Sequence, residues 1–151
     1  MAGKQSRDKG KRGERAVAKL FRKWFPNAKR SFGQVREGYE QPDITGSGIE
    51  YMFFIEVKSY SRFSTLKRRQ AFTKAINDRN KFRIVSKIQF VPMVVLIWKE
   101  TGQRDWKVTL NKYGLDYLDV EIIKEPINGL LYDISWSDFE KLVDHKKSGD
   151  L

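Results

Sequence analysis

Pro42-Asp43 and, after twelve intervening residues, Glu56-Val57-Lys58 are the residues of this chain best suited to do chemistry. Carboxylates bind hard divalent cations, and two of them around one site hold Mg²⁺ with waters and a substrate phosphate completing the shell. A metal held this way acidifies water and neutralises charge that builds on a phosphodiester. Lys58 follows Glu56 by two positions and so shares its face of an extended strand, where an ammonium can orient water or stabilise pentavalent phosphorus. The same residues also suit a plain structural ion pair of Glu56 with Lys58 or a nearby arginine. Acid-x-Lys spacing recurs at Asp105-Trp106-Lys107 and Asp144-His145-Lys146. Only at Glu56 does it combine with an apolar strand and an upstream Asp beside a turn. A symmetric hairpin centred on Ser47 would set Asp43 opposite Tyr51 and well away from Glu56. The two carboxylates therefore meet only across an asymmetric turn or splayed strands.

Charge distribution indicates what such a site would act on. The chain carries 30 Lys and Arg against 19 Asp and Glu, a net charge of +11. Residues 1–36 hold a net +10, residues 37–57 a net −5, residues 58–90 a net +9 and residues 91–151 a net −3. Two basic blocks thus flank a short acidic one. Each Lys or Arg set against a phosphate releases condensed counterions, so blocks of this size favour a polyanion, although a solvated basic surface has the same composition. Carboxylates beside phosphates repel them unless a cation stands between. An acidic island within a basic surface therefore points to a divalent metal site on a nucleic-acid-binding face.

The elements that would position these groups follow from periodicity. Val17, Leu20, Phe21 and Trp24 recur at helical spacing and predict an amphipathic helix from about Gly13 to Phe25, stopped by Pro26. Glu14 falls one turn before Val17 and Ala18, near the buried stripe. Residues 30–36 suit a short strand. Gly46-Ser47-Gly48 reads as a turn and Ile49–Lys58 as a strand, with Met52, Phe54, Glu56 and Lys58 on one face and Tyr51, Phe53, Ile55 and Val57 on the other. Both faces are largely apolar, which predicts a central strand. Residues 66–81 read as a helix buried through Phe72, Ala75 and Ile76. Val91–Trp98 is an apolar strand, turned at Thr101-Gly102-Gln103 into a partner at Asp105–Leu110. Ser137 with Glu140 suggests a capping box opening a last helix to about Lys146. This order predicts an α/β fold: one domain over residues 13–151, with a mixed β-sheet flanked by helices, preceded by a flexible basic arm at residues 1–12.

Composition removes several classes of function. Without Cys there is no disulfide framework, thiolate zinc site or thiol nucleophile. A single histidine, His145, argues against a Ser-His-Asp triad or a multi-histidine metal cage. No run approaches the ~18 apolar residues of a membrane span, and the N-terminus lacks the apolar stretch of a signal peptide, so an intracellular location without membrane association is expected.

Taken together, Pro42-Asp43 and Glu56-Val57-Lys58 resemble the PD-(D/E)xK nuclease superfamily, and within it the archaeal-type Holliday junction resolvases, which phages also encode. Gly13-Glu14-Arg15 with Val17, Lys19 and Leu20 is similar to that family's first helix. Arg30-Ser31 resembles an Arg-Ser pair on its first strand, and Asp43-Ile44, Gly46-Ser47-Gly48 and Tyr51–Lys58 follow its register. Pro92 with the following strand, then Trp106-Lys107-Val108, is similar to its closing strands. The likeness spans about residues 10–110 and is strongest at 42–58. The segment Phe32–Gln41 is longer and more polar than the family pattern, and the basic stretch 59–90 also looks longer.

The resemblance implies a restriction-endonuclease-like core, with Glu14, Asp43, Glu56 and the Val57 carbonyl as ligands of Mg²⁺, for which Mn²⁺ would substitute. Lys58 would serve catalysis, and no small-molecule cofactor is implied. It implies a homodimer making paired nicks in four-way DNA, leaving 5′-phosphate and 3′-hydroxyl ends, in a prokaryotic cell or a phage-infected host. The residues expected on DNA are Arg7, Lys9, Lys11, Arg12, Arg15, Arg30, Arg62, Lys67, Arg68 and Arg69. Tyr60 and Phe63, lying among them, suit either stacking on opened bases or packing at the core edge. The alternatives are another nuclease of the superfamily, of restriction or repair type, and a non-catalytic basic nucleic-acid-binding domain.

Overall fold

Helix α1 (Ala2–Phe21) buries Val17, Ala18 and Phe21 along one stripe, as the spacing requires. Its last turns are closed by backbone bonds from Trp24 and Phe25 to the Phe21 carbonyl, and Pro26, which has no N–H to donate, ends the run. The helix begins at Ala2, so the backbone of residues 2–12 is continuous with it. The structure, a computed structural model, describes residues 2–31, 35–36, 39–118 and 131–149, with side chains for residues 9–31, 40–118 and 131–149.

Two short ladders follow. Strand β1 (Lys29–Arg30) pairs antiparallel with β4 (Ile44–Thr45), and β2 (Val35–Arg36) pairs with β3 (Tyr39–Glu40). The expected single strand at residues 30–36 is thus divided. A 3₁₀ turn occupies Ile49–Tyr51, and β5 (Phe53–Tyr60) begins after it rather than at Ile49. Helix α2 (Thr65–Val85) is capped by Ser64, whose Oγ accepts the Lys67 N–H at 3.2 Å. It carries the chain over to β6 (Met93–Glu100), which runs parallel to β5. Strands β7 (Lys107–Asn111) and β8 (Leu131–Ser135) complete an antiparallel continuation in the order β5-β6-β7-β8. Between them lies α3 (Lys112–Tyr117), and α4 (Trp136–Gly149) closes the described chain. The N-cap of α4 is Ser135, whose Oγ accepts the Asp138 N–H at 3.0 Å, not the expected Ser137.

The sheet is a mixed one with helices on both faces, as the order of elements predicted. On one face Phe53, Ile55, Val57, Val95 and Ile97 pack against α1 and α4, where Phe21 meets Phe53 and Trp136 edge-on at 5.7 and 5.5 Å. On the other, Phe54, Val94, Leu96 and Trp98 pack against Phe63, Phe72 and Ala75. Among the described residues β5 is an end strand of its four-stranded sheet, not a central one. It reads as central because helices bury both its faces. Its outer edge is occupied by the segment that holds Asp43. No helix among the described residues is long and apolar enough to cross a membrane.

Candidate functional site

Asp43 reaches Glu56 because the chain does not form a symmetric hairpin. The 3₁₀ turn takes up Ile49–Tyr51, with Gly48 at φ 90° entering it, so fewer residues are left to extend back along the sheet. The Asp43 N–H then donates to the Ile55 carbonyl at 2.8 Å, and the Asp43 carbonyl accepts the Ser31 N–H at 2.8 Å. Backbone is thus tied on both sides of the aspartate. Its Oδ2 accepts the Val57 N–H at 2.8 Å, which aims the carboxylate along the edge of β5 toward Glu56. Gly46 holds the start of this turn against the residues just before β1: a Cβ there would stand 3.1 Å from backbone atoms of Asn27 and Ala28.

Glu56 is 5 % exposed, and its Oε1 is buried with no hydrogen-bond partner. The two carboxyl groups are close enough for each to act on the ionisation of the other. Burial raises both above the ordinary carboxylate range. For Asp43 the rise reaches about 6, opposed by the Val57 N–H, reinforced by the negative charge of Glu14 and eased by Lys58. Glu56 is pushed well up by burial first, then by the charges of Asp43 and Glu40, again with Lys58 opposing. Two acids at close quarters in a dry site, one with an oxygen that no protein group satisfies, suit a shared proton or a divalent cation.

The third expected ligand behaves differently. Glu14 sits on α1 near enough for its charge to act on Asp43, but its Oε2 accepts a hydrogen bond from Arg30 Nε at 3.0 Å, and both side chains are mostly buried. Among the described residues there is no group of three or more acidic or histidine side chains that could hold a metal ion. The carboxylates brought together are a pair, Asp43 with Glu56, and Glu14 stands in an ion pair beside them. Val57 contributes its N–H to Asp43.

The rival acid-x-Lys triplets separate cleanly. Asp144 accepts Lys23 Nζ and Trp24 Nε1, each at 2.7 Å, and these hydrogen bonds hold it below the ordinary carboxylate range. Asp105 is exposed and lies ahead of β7, outside the strand it was expected to begin.

Of the basic residues expected on nucleic acid, Lys11, Arg12, Arg15, Arg62, Lys67 and Arg69 are exposed. Lys9 donates to Thr101 Oγ1 at 3.1 Å, and the Arg7 side chain lies outside the described residues. Two others are structural. Arg30 holds Glu14. Arg68 pairs with Asp133 at 3.2 Å, donates to the Phe63 carbonyl and to Thr65 Oγ1, and stacks 4.6 Å over Trp98. Its position on α2 opposite β8 makes it a brace between helix and sheet.

Two contributors escaped the sequence. Glu40 acts on Glu56 through its charge, and Lys74 bridges Glu40 at 3.0 Å and Asp78 at 2.8 Å, closing the acidic side of the site from α2. The i,i+4 spacing of Lys74 and Asp78 was readable as a helical pair. The approach of Glu40 was not, because it depends on how β3 meets α2.

Comparison with protein-family models, with curated proteins and with solved structures finds no match to this chain.

Proposed function

We propose that this chain is a divalent-metal-dependent endodeoxyribonuclease that nicks branched DNA, four-way junctions above all, as a homodimer. The observation that carries the reading is the buried Asp43–Glu56 pair, with Glu56 Oε1 unpartnered and Lys58 beside it. Its donors are hard oxygens, and Mg²⁺ commonly takes one or two carboxylates and completes its shell with water and phosphate, so the pair fits such an ion without a third acid. Asp43 and Glu56 would hold it, with the Val57 carbonyl as a further donor, and Glu14 would join only by leaving Arg30. When bound, a divalent cation supplies neutralisation of the charge on the scissile phosphate.

The chain's own groups do the rest. The Val57 N–H fixes the direction of the Asp43 carboxylate. Lys58, on the same strand face as Glu56, offers its ammonium to a phosphate oxygen or to the attacking water. The exposed Lys11, Arg12, Arg15, Arg62, Lys67 and Arg69 hold the polyanion by counterion release. Paired nicks need two sites at a fixed spacing, which a two-fold dimer supplies.

A second reading, a nucleic-acid-binding domain without catalysis, is favoured by the Glu14–Arg30 ion pair, which removes one of the three acids the resemblance calls for. One experiment separates them. Purified protein is incubated with Mg²⁺, or Mn²⁺, and labelled four-way junction, linear duplex or single strand, alongside Asp43→Ala and Glu56→Ala. Symmetric nicks confined to the junction, lost in both variants while binding persists, support the proposal. Cutting of plain duplex indicates a related nuclease of restriction or repair type. Tight binding by the wild type with no cutting in either metal leaves the binding domain.

A further inference from the structure

Between the end of β5 and the first turns of α2 lies a groove of about 350 Å³ lined by Lys58, Tyr60, Phe63, Lys67, Gln70 and Lys74. It lies near the carboxylate pair: Lys58 lines the groove, and its charge acts on both Asp43 and Glu56. Tyr60 is 39 % exposed, yet its ring is not loose. It rests against Phe63 with centroids 5.0 Å apart, and Phe63 is itself buried edge-on against Trp98 at 5.4 Å. The core therefore holds an aromatic plate at the surface. Lys67 Nζ stands 5.7 Å from the Tyr60 ring centre, and Lys67 and Gln70 are exposed on the first turns of the helix. Lys74 is already bound to Glu40 and Asp78 and forms a wall.

We infer that this groove seats one unpaired nucleotide of the substrate, its base against Tyr60 and its phosphate beside Lys58, Lys67 and Gln70. The chemistry selects the ligand from two sides. A buttressed aromatic offers a π-face to any base, but a base inside a duplex has its own faces covered by its neighbours and cannot use it. The volume is at the small end of ligand pockets, too small for a base pair and suited to a single nucleotide. The lysines demand an anion at its edge. The inference deepens the nuclease reading by giving its substrate an unpaired base next to the phosphodiester to be cut. It rests on that reading for the cutting alone, because nucleotide seating needs no metal.

The test is fluorescence anisotropy in EDTA, with a short labelled single strand and a blunt duplex of the same length, for wild type, Tyr60→Phe, Tyr60→Leu, Tyr60→Ala and Lys67→Gln. Tyr60→Ala and Tyr60→Leu are expected to weaken single-strand binding about 5- to 100-fold and to leave duplex binding within about two-fold, while Tyr60→Phe binds as wild type. Lys67→Gln should lower the salt slope on the single strand by about 0.7. Tyr60→Leu keeps an apolar side chain over Phe63, and matching thermal melts for it and wild type exclude unfolding as the cause. Equal weakening on both ligands, or none on either, overturns the groove. A protein that cuts nothing but keeps the Tyr60-dependent single-strand preference loses the nuclease reading and keeps the groove. One that nicks junctions without that preference loses the groove alone.

Discussion

Replacing Asp43 by asparagine removes a negative charge from the buried pair while leaving an oxygen to accept the Val57 N–H, which now donates to Asp43 Oδ2 at 2.8 Å. The new amide can also donate to Glu56, whose Oε1 has no partner. The folded protein binds the Asp43 proton more tightly than the unfolded chain does, because burial first, and then the charge of Glu14, raise the group from 3.8 to about 6. Folding is therefore helped by this group at low pH, and the help is lost as pH rises from about 4 through about 6. At neutral pH, where both states are ionised, the rise corresponds to ~3 kcal/mol of destabilisation at 1.36 kcal/mol per pKa unit. Asp43→Asn should thus be more stable than wild type by ~3 kcal/mol at about pH 7 and nearly equal to it at about pH 3. For a chain of this length that difference raises Tm by roughly 6–12 °C. Urea and thermal unfolding of the two proteins across this range, without divalent metal, measure it. Taking the difference between the proteins cancels the titrating groups away from the pair, while Glu56, which the Asp43 charge raises, shifts in the same stabilising direction when that charge is removed. A wild type as stable as the variant at pH 7, or an advantage that shrinks as pH rises, would refute the claim that burial makes the charged form of Asp43 costly in this site.

Divalent metal gives a companion expectation: Mg²⁺ at about a hundred times its Kd should stabilise wild type by ~2.7 kcal/mol and leave Asp43→Asn unmoved, as read by the same melts. Glu56→Gln should likewise stabilise the metal-free protein at neutral pH while abolishing nicking, the two effects being scored by calorimetry and a gel assay on labelled junction. Arg68→Ala should cost about 2–3 kcal/mol in urea unfolding, because it removes the ion-pair partner of Asp133, leaving that carboxylate only the Thr109 hydroxyl, and the guanidinium over Trp98. Its exposed neighbour Arg69→Ala should change stability by no more than about 0.5 kcal/mol and weaken DNA binding in a salt-dependent way. Gly46→Ala should cost about 1–3 kcal/mol in the same unfolding assay, since its Cβ would press on backbone rather than on a side chain able to move.

The unequal legibility of this chain has a simple physical source. Alternation along Phe53–Tyr60 and the helical stripe through Val17 and Phe21 are local consequences of backbone geometry, and they read correctly as a strand and a helix. The mixed sheet with helices on its faces followed from their order. Asp43, Glu56 and Lys58 stood out by residue type, and the structure brings their charges together. What periodicity could not contain was the offset between distant segments. A 3₁₀ turn over Ile49–Tyr51 slides Asp43 along β5 until it meets Ile55 and Val57, removing the mismatch that a symmetric hairpin implies. Burial of both faces made β5 read as central although it ends the four-stranded sheet, because apolar side chains record what covers a strand and not what pairs with its edge. The partnering of charges was equally hidden: Arg30 and Arg68 looked like surface cations until Glu14 and Asp133 arrived from other elements. Residue types therefore determined which groups are capable of chemistry and which surfaces must be covered. Tertiary structure alone decided which acids are free and which are neutralised, because an ion pair is set by a distance of a few ångströms between residues far apart in the chain.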